Sequence, residues 1–421
     1  MNSIQSLRRE YAEDFFYVNR WILRLAGLWC PENKNPYAQF AYNAYAIVVF
    51  LFPNLWFTST EFVSLFYTYK REDAFIKNIN FFLTHFMGAV KVIFWYFRGD
   101  CLIRIMKTLE DPDLHYKPFT EYNPGKISKR YKKIGVTYTL SFLALAHATL
   151  SSSYIPPIIS VTRYMRSDAN STHLLPEKLP YYSWMPFAYN TEKLYLLAVA
   201  YQAGPMFSYA YSIVGIDTLF MNIMNNIGSN LTIMQGAFKT LRGRTAKIVG
   251  QPISSLRLHE NAEFTDELYK QFRKISRHLQ TVLHMSNQLE SVYRYVTLCQ
   301  ITATLFILCT CLYLVSTTPL GSKQFIAECV YMAAMFFQLF VYCWFGNEVT
   351  LKCQELSNYI WECEWFATTT SFKKNLIFTM MRTKKPLYFT AGKFLPLTLP
   401  TFMSIIKTSY SIFALIKNTS E

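Results

Sequence analysis

Seven apolar stretches, each about as long as a lipid bilayer is thick, constrain this chain more than any other feature. They lie at about 38–66, 74–97, 134–157, 193–220, 291–315, 324–346 and 397–416. A hydrocarbon core of ~30 Å needs roughly 20 apolar residues in a helix. Charges fall between the runs rather than inside them. The chain therefore reads as an all-α integral membrane protein with seven transmembrane helices. Its 30 tyrosines and 8 tryptophans suit the two membrane–water interfaces.

The net charge of +15 suggests nucleic acid only until its distribution is read. No basic-aromatic motif or finger spacing accompanies it. Counting Lys and Arg, 98–134 holds nine and 226–290 holds nine, whereas 158–192 holds three. The positive-inside rule puts the first two segments in the cytoplasm. Seven spans then give a cytoplasmic N-terminus and an extracellular C-terminus. The opening MNSIQSLRREYAEDFF has no apolar core, so the first span is expected to act as the signal. The sequon at Asn170 falls outside and is a glycosylation candidate, and the one at Asn230 falls inside.

The organisation follows. Residues 1–220 hold an N-terminal cytoplasmic segment and spans one to four. In the segment, Trp21, Ile22, Leu25 and Trp29 suggest an apolar face along the inner membrane surface. Pro53 is a candidate kink, Pro156-Pro157 a candidate end for the third span, and Gly204-Pro205 a candidate bend in the fourth. Lys91, near the inner end of the second span, is expected to snorkel to the headgroups. Residues 221–290 form a cytoplasmic helical anchor, because Leu268, Phe272, Ile275, Leu279, Val282 and Leu289 recur at mostly three-four spacing. Residues 291–346 hold spans five and six, 347–385 return to the anchor, and 386–421 hold the last span and the extracellular C-terminus.

Seven spans invite a G-protein-coupled reading, and the inverted orientation argues against it. No Cys opens the third span to pair with the 158–192 loop, which has none, and no Asn-Pro-x-x-Tyr occurs in the seventh span. Enzyme chemistry finds no support either. The nine cysteines show no Cys-x-x-Cys spacing, and the seven histidines form no cluster at metal-ligand spacing. No cofactor motif is present. His85 and His147 stand out because both lie within spans, where a polar residue is either a functional group or a hydrogen-bonding link between helices.

The last span is not uniformly oily. Thr401, Ser404, Thr408, Ser411, Leu415 and Asn418 recur at alternating spacings of three and four, a mostly hydroxyl stripe on one helix face. Phe402, Ile405, Phe413 and Ile416 lie elsewhere on the surface. Lipid has no use for such a stripe, but a watery path does.

The same helix resembles a known family. Ile406-Lys407-Thr408-Ser409-Tyr410-Ser411, followed by Phe413-Ala414-Leu415, is similar to the C-terminal signature of insect odorant receptors. Thr401-Phe402, Pro386-Leu387 and the aromatic segment ending at Trp365 fit the same pattern. The resemblance covers the whole chain as layout and is sequence-specific mainly over 386–417. The Thr-Tyr…Gln-Phe ending of the sister gustatory receptors is absent. The shared odorant co-receptor is longer in the region matching 221–290, so the chain resembles a ligand-selective tuning subunit.

The resemblance implies a heterotetrameric, ligand-gated, non-selective cation channel in the plasma membrane of olfactory neuron dendrites, built with the co-receptor. Each subunit would give its last helix to a central pore. Ser404, Thr408 and Ser411 would line the pore, with the gate near Leu415, Asn418 and Thr419. A small volatile organic ligand would bind in the outer half of the bundle. The residues implied there are His85, Met87 and Gly88; His147, Ser151 and Tyr154; Tyr201, Gln202, Met206 and Tyr209; and Tyr331, Met335 and Phe336. A gustatory-type channel is the alternative, and a transporter would need repeats in matching halves, which are not visible.

Overall fold

Prolines and short polar side chains mark where the helices of this protein begin. Asn35 accepts a hydrogen bond from the Tyr37 N–H, with Pro36 at the first helical position. Thr191, Asn261, Ser322 and Thr369 cap later helices in the same way, each accepting from a backbone N–H three residues on. The structure, a computed structural model, describes residues 14–31, 35–167, 179–189, 191–251 and 261–420. Helix α1 spans Tyr17–Leu25, α2 Pro36–Thr68, α3 Glu72–Leu109, α4 Pro124–Ser167 and α5 Glu192–Lys239. Helix α6 spans Leu241–Val249, α7 Ala262–Thr317, α8 Lys323–Trp361, α9 Thr370–Lys384 and α10 Leu399–Ser420. We call the end of the bundle holding the α2–α3 and α7–α8 links the upper end.

Six of these helices, α2, α3, α4, α7, α8 and α10, are long and apolar enough to cross a membrane. Helix α5 carries the fourth expected span but is less apolar, because Tyr195, Tyr201, Gln202, Tyr209 and Tyr211 interrupt it. Its polar groups are spent inside the protein: Tyr195, Gln202 and Tyr209 are buried. Helix α5 packs against α1, α3, α4, α7 and α8. Lower down it carries a buried spine of amides. Asn222 Nδ2 donates to Asn19 Oδ1 at 2.8 Å and to Thr139 Oγ1 at 2.9 Å, and Asn225 Nδ2 donates to the Tyr131 carbonyl at 2.7 Å.

The helices run well past the membrane-length segments, so the boundaries drawn at 220, 290 and 346 fall inside α5, α7 and α8. The stripe from Leu268 to Leu289 on α7 is buried throughout.

Two local expectations change. Helix α4 does not end at Pro156-Pro157 but continues to Ser167. Proline there removes backbone donors without stopping the helix, as membrane helices tolerate. Helix α5 also contains its proline, continuing through Gly204-Pro205, the candidate bend. Pro53 does distort α2, which is π-helical from Phe50 to Phe57. The carbonyls loosened there are picked up by side chains: Asn54 Nδ2 reaches Val49 O at 3.4 Å and Phe50 O at 3.3 Å, and Tyr209 donates to Pro53 O at 2.5 Å. In α1 the buried face is Val18, Asn19, Ile22 and Leu23. Of the apolar face expected along the membrane surface, Trp21 and Leu25 are exposed, whereas Ile22 is buried in the bundle and Trp29 packs on Trp95.

A short hairpin precedes the last helix. Strand β1 (Thr390–Ala391) pairs antiparallel with β2 (Leu395–Pro396). Gly392 at φ +64° makes the turn possible, and its N–H donates to Arg294 O at 2.9 Å. Thr390 Oγ1 donates to Glu290 at 2.5 Å. The hairpin is thus pinned to α7 where α10 begins.

Candidate ligand site and pore helix

His85 on α3 faces Glu61 on α2. Its Nδ1 lies 2.8 and 2.9 Å from the two carboxylate oxygens. Tyr209 of α5 stacks on the imidazole at 4.4 Å and 13°. Gly88, one turn along α3, lets α5 come close, since a Cβ there would meet Ile213 at 3.2 Å and Tyr209 at 3.3 Å. Phe81 lies one turn the other way, with its ring 4.7 Å from Tyr181 and 5.0 Å from Tyr331. Tyr154 of α4 reaches the same cluster at 5.6 Å from Tyr181. An aromatic layer therefore surrounds one ionisable pair.

The segment 179–189 closes this layer from above. Gln202 holds it, donating to Tyr181 O and to Ser183 Oγ, both at 2.8 Å. Above lies an open cavity of about 950 Å³, lined by Arg71, Lys77, Phe81, Ser153, Tyr182 and Glu328 among others. None of the residues implied for the ligand lines that cavity; Phe81 is the wall between it and the layer beneath.

The implied ligand residues divide accordingly. His85, Gly88, Tyr154, Gln202, Tyr209 and Tyr331 meet in or around the aromatic layer. Met87, Met206 and Met335 are buried in the same hydrophobic core, with Tyr201 and Phe336 packed against it. Tyr201 also accepts from Trp56 Nε1 at 2.5 Å. His147 instead pairs with Tyr211 at 3.3 Å and packs near Phe207. Ser151 is exposed on α4. Asn170 lies outside the described residues.

A second polar centre lies further down. Lys91 does not snorkel to the headgroups. It is buried, and its ammonium binds Asp217 of α5. Tyr342 donates to the same carboxylate at 2.7 Å, and Gln338 donates to its other oxygen. Gln300 of α7 donates to Gln338 at 3.1 Å. A lysine long enough to snorkel stays inside because α5 supplies it with a charge and α8 supplies that charge with further donors.

Sequence reading missed Glu61, Asp217, Phe81 and Tyr181. The available signal for the first two was a lone carboxylate within an otherwise apolar stretch.

Helix α10 packs on α7 and α8 by one face. Ile405 and Ser409 are buried there, Ser409 Oγ donating to Leu305 O at 3.3 Å, and Phe402 meets Phe340 at 5.8 Å. Thr401, counted in the stripe, is buried too. The rest of the stripe turns away from the bundle: Ser404, Thr408, Ser411 and Asn418 are exposed, and Leu415 is 65% exposed. Thr419 belongs to the same helix.

The model of the 7tm odorant receptor family matches residues 73–410, most of the chain. The chain belongs to the insect odorant receptor family. Odorant receptor Or1 of Anopheles gambiae is 21% identical over 96% of this chain and 95% of its own length. Odorant receptor 2a of Drosophila melanogaster is 24% identical, but over 44% of this chain and 47% of its own length. Among solved structures, the olfactory receptor OR5 of Machilis hrabei superposes with a TM-score of 0.75 at 15% identity, covering 96% of this chain and 99% of that one. That likeness shows the fold. This odorant receptor is thus an all-α, multi-pass membrane protein of a family of ligand-binding subunits.

Proposed function

We propose that this odorant receptor is the odorant-binding subunit of a heteromeric, ligand-gated, non-selective cation channel, with the co-receptor as partner. The observation that carries this reading is the orientation of α10. Its hydroxyl face, Ser404, Thr408 and Ser411, is exposed in the single chain, while the opposite face is packed. Such a face needs company from other subunits around a watery axis. The upper end is extracellular, and the C-terminus with it. The five segments, from 1–220 to 386–421, act as ligand-bearing bundle, anchor and pore helix in a plasma-membrane tetramer. Leu415, Asn418 and Thr419 form this subunit's share of the gate, where an apolar ring blocks ions by dewetting.

The ligand is a small volatile held by the layer around His85, Tyr154, Tyr209 and Tyr331. Met87, Met206 and Met335 supply adaptable apolar surface. Gly88 sets the helix spacing, Gln202 holds the covering segment, and Tyr201, Phe336, His147 and Ser151 line the periphery. The Machilis receptor is also solved in complex with eugenol, which supports a small organic ligand for this fold. Asn170 is the proposed glycosylation site. Gating is a population shift: the ligand binds the open form better than the closed one.

Expression with and without the co-receptor, under a panel of volatiles, tests the proposal. A cation current on odorant addition is expected only with the co-receptor. A G-protein response with no current would overturn it.

A further inference from the structure

Glu61 keeps 1% of its surface and His85 keeps 6%, so the pair sits where a net charge is costly. Two arrangements of its protons are neutral overall. In one, an imidazolium faces a carboxylate, and both ring nitrogens carry hydrogen. In the other, a carboxylic acid donates to Nδ1, and the ring's own proton sits on Nε2. The contact of Nδ1 with both Glu61 oxygens fits either. In both, Nε2 is a hydrogen-bond donor.

Among the described residues that donor has no acceptor; His85 bonds the two oxygens of Glu61 through Nδ1. A second group in the same layer also lacks a partner. The Tyr154 hydroxyl is buried with no hydrogen-bond partner among the described residues. Tyr154 lies 5.6 Å from Tyr181, which in turn lies 6.1 Å from His85. Buried polar groups in native proteins are almost always satisfied, so the orphaned Tyr154 hydroxyl, in the same aromatic layer as the open His85 donor, points to an acceptor that arrives with the ligand.

We infer that the odorant is a carbonyl compound, a ketone, aldehyde, ester or lactone. Its oxygen accepts from His85 Nε2–H, with the Tyr154 hydroxyl as the second donor. A hydrocarbon leaves both donors unmet. A protonated amine brings donors to donors, and a carboxylate adds a net charge. A carbonyl has two lone pairs and no proton of its own. The inference rests on the reading of this layer as the odorant pocket.

The test uses matched pairs in which only C=O becomes C=CH2: acetophenone against α-methylstyrene, and cyclohexanone against methylenecyclohexane. Two readouts are taken, current in cells with the co-receptor and the rise in Tm of the purified full-length receptor. The carbonyl member is expected to act at roughly 10-fold lower concentration. The preference should shrink to about 2-fold or less in the double variant Glu61→Leu/His85→Phe, which leaves no charge behind. Tyr154→Phe, which removes a single oxygen, should reduce it by about 3-fold and carries the test if the double variant does not fold. Equal potency within pairs overturns the inference, as does a preference untouched by Tyr154→Phe and the double variant. Equal currents would leave the channel reading standing. A carbonyl-selective Tm shift without current would support this inference and overturn the channel. No response in either readout overturns both.

Discussion

The ammonium of Lys91 lies 2.7 Å from one oxygen of Asp217 and 2.9 Å from the other, and neither residue has more than 3% of its surface exposed. The two are 126 positions apart in the chain. With Tyr342 and Gln338 on the same carboxylate, and Gln300 on Gln338, the pair ties α3, α5, α7 and α8 at one level of the bundle. Removing one partner strands the other charge. Lys91→Met is expected to cost about 3–5 kcal/mol, seen as a large drop in Tm or loss of the monodisperse protein. Lys91→Met/Asp217→Asn strands no charge and should recover most of it. Equal loss in single and double variants would refute this account.

The start of α10 is set by one missing side chain. A Cβ on Gly346 of α8 would lie 2.6 Å from the Leu397 carbonyl oxygen and 2.8 Å from its Cβ. Backbone cannot swing aside as a side-chain tip can. Gly346→Ala should therefore shift the segment entering α10 and destabilise by about 1–3 kcal/mol, with an altered resting current in the assembled channel. Gly204→Ala is the control. It sits within α5 with nothing inside 4 Å, so it should be neutral or gain roughly 0.5–1 kcal/mol.

Two neighbouring positions on α10 should respond oppositely to water-soluble thiol reagents. Ser411 is exposed on the stripe, and Ser409 is buried against Leu305. In the co-receptor complex, Ser411→Cys is expected to be modified with block of the current, and Ser409→Cys to be untouched. Block at Ser409→Cys alone would mean that the opposite face lines the path.

The lower part of α7 carries its own pH dependence. His278 is buried between the Tyr116 hydroxyl on Nδ1 and Asn230 Oδ1 on Nε2, each at 3.0 Å. Burial, with help from the nearby Lys274 and His115, pushes its pKa down to about 3 from 6.5. The folded chain therefore stays neutral there while the unfolded chain takes a proton below 6.5. Stability from this site is full above about pH 6.5 and is lost as pH falls toward 3. The Tm of purified receptor should drop between pH 7.5 and 5, and His278→Gln should flatten that drop. An unchanged slope would reassign the effect.

What could be read from the chain alone was whatever repeats locally. Apolar runs marked the spans, three-four spacing marked the buried face from Leu268 to Leu289, and the same rhythm marked the hydroxyl stripe of the last helix. These signals survive because the helix period is a property of neighbouring residues. The length of α5 was less legible: it runs far beyond its lipid-length segment, held by a polar spine of amides that local periodicity does not reveal.

Tertiary structure decided the partners. Lys91 looked like a residue near a membrane surface until Asp217 came to it, and His85 looked like a lone polar residue until Glu61 did. The Tyr181 segment became a cover only once Gln202 caught its backbone. Whether a charge is exposed or paired depends on which helices face it, and that choice comes from packing the whole bundle. The sequence determined that the last helix has a face fit for water, and the fold determined that this face is left uncovered from Ser404 onward, because Ile405 and Ser409 are on the side that packs on α7 and α8.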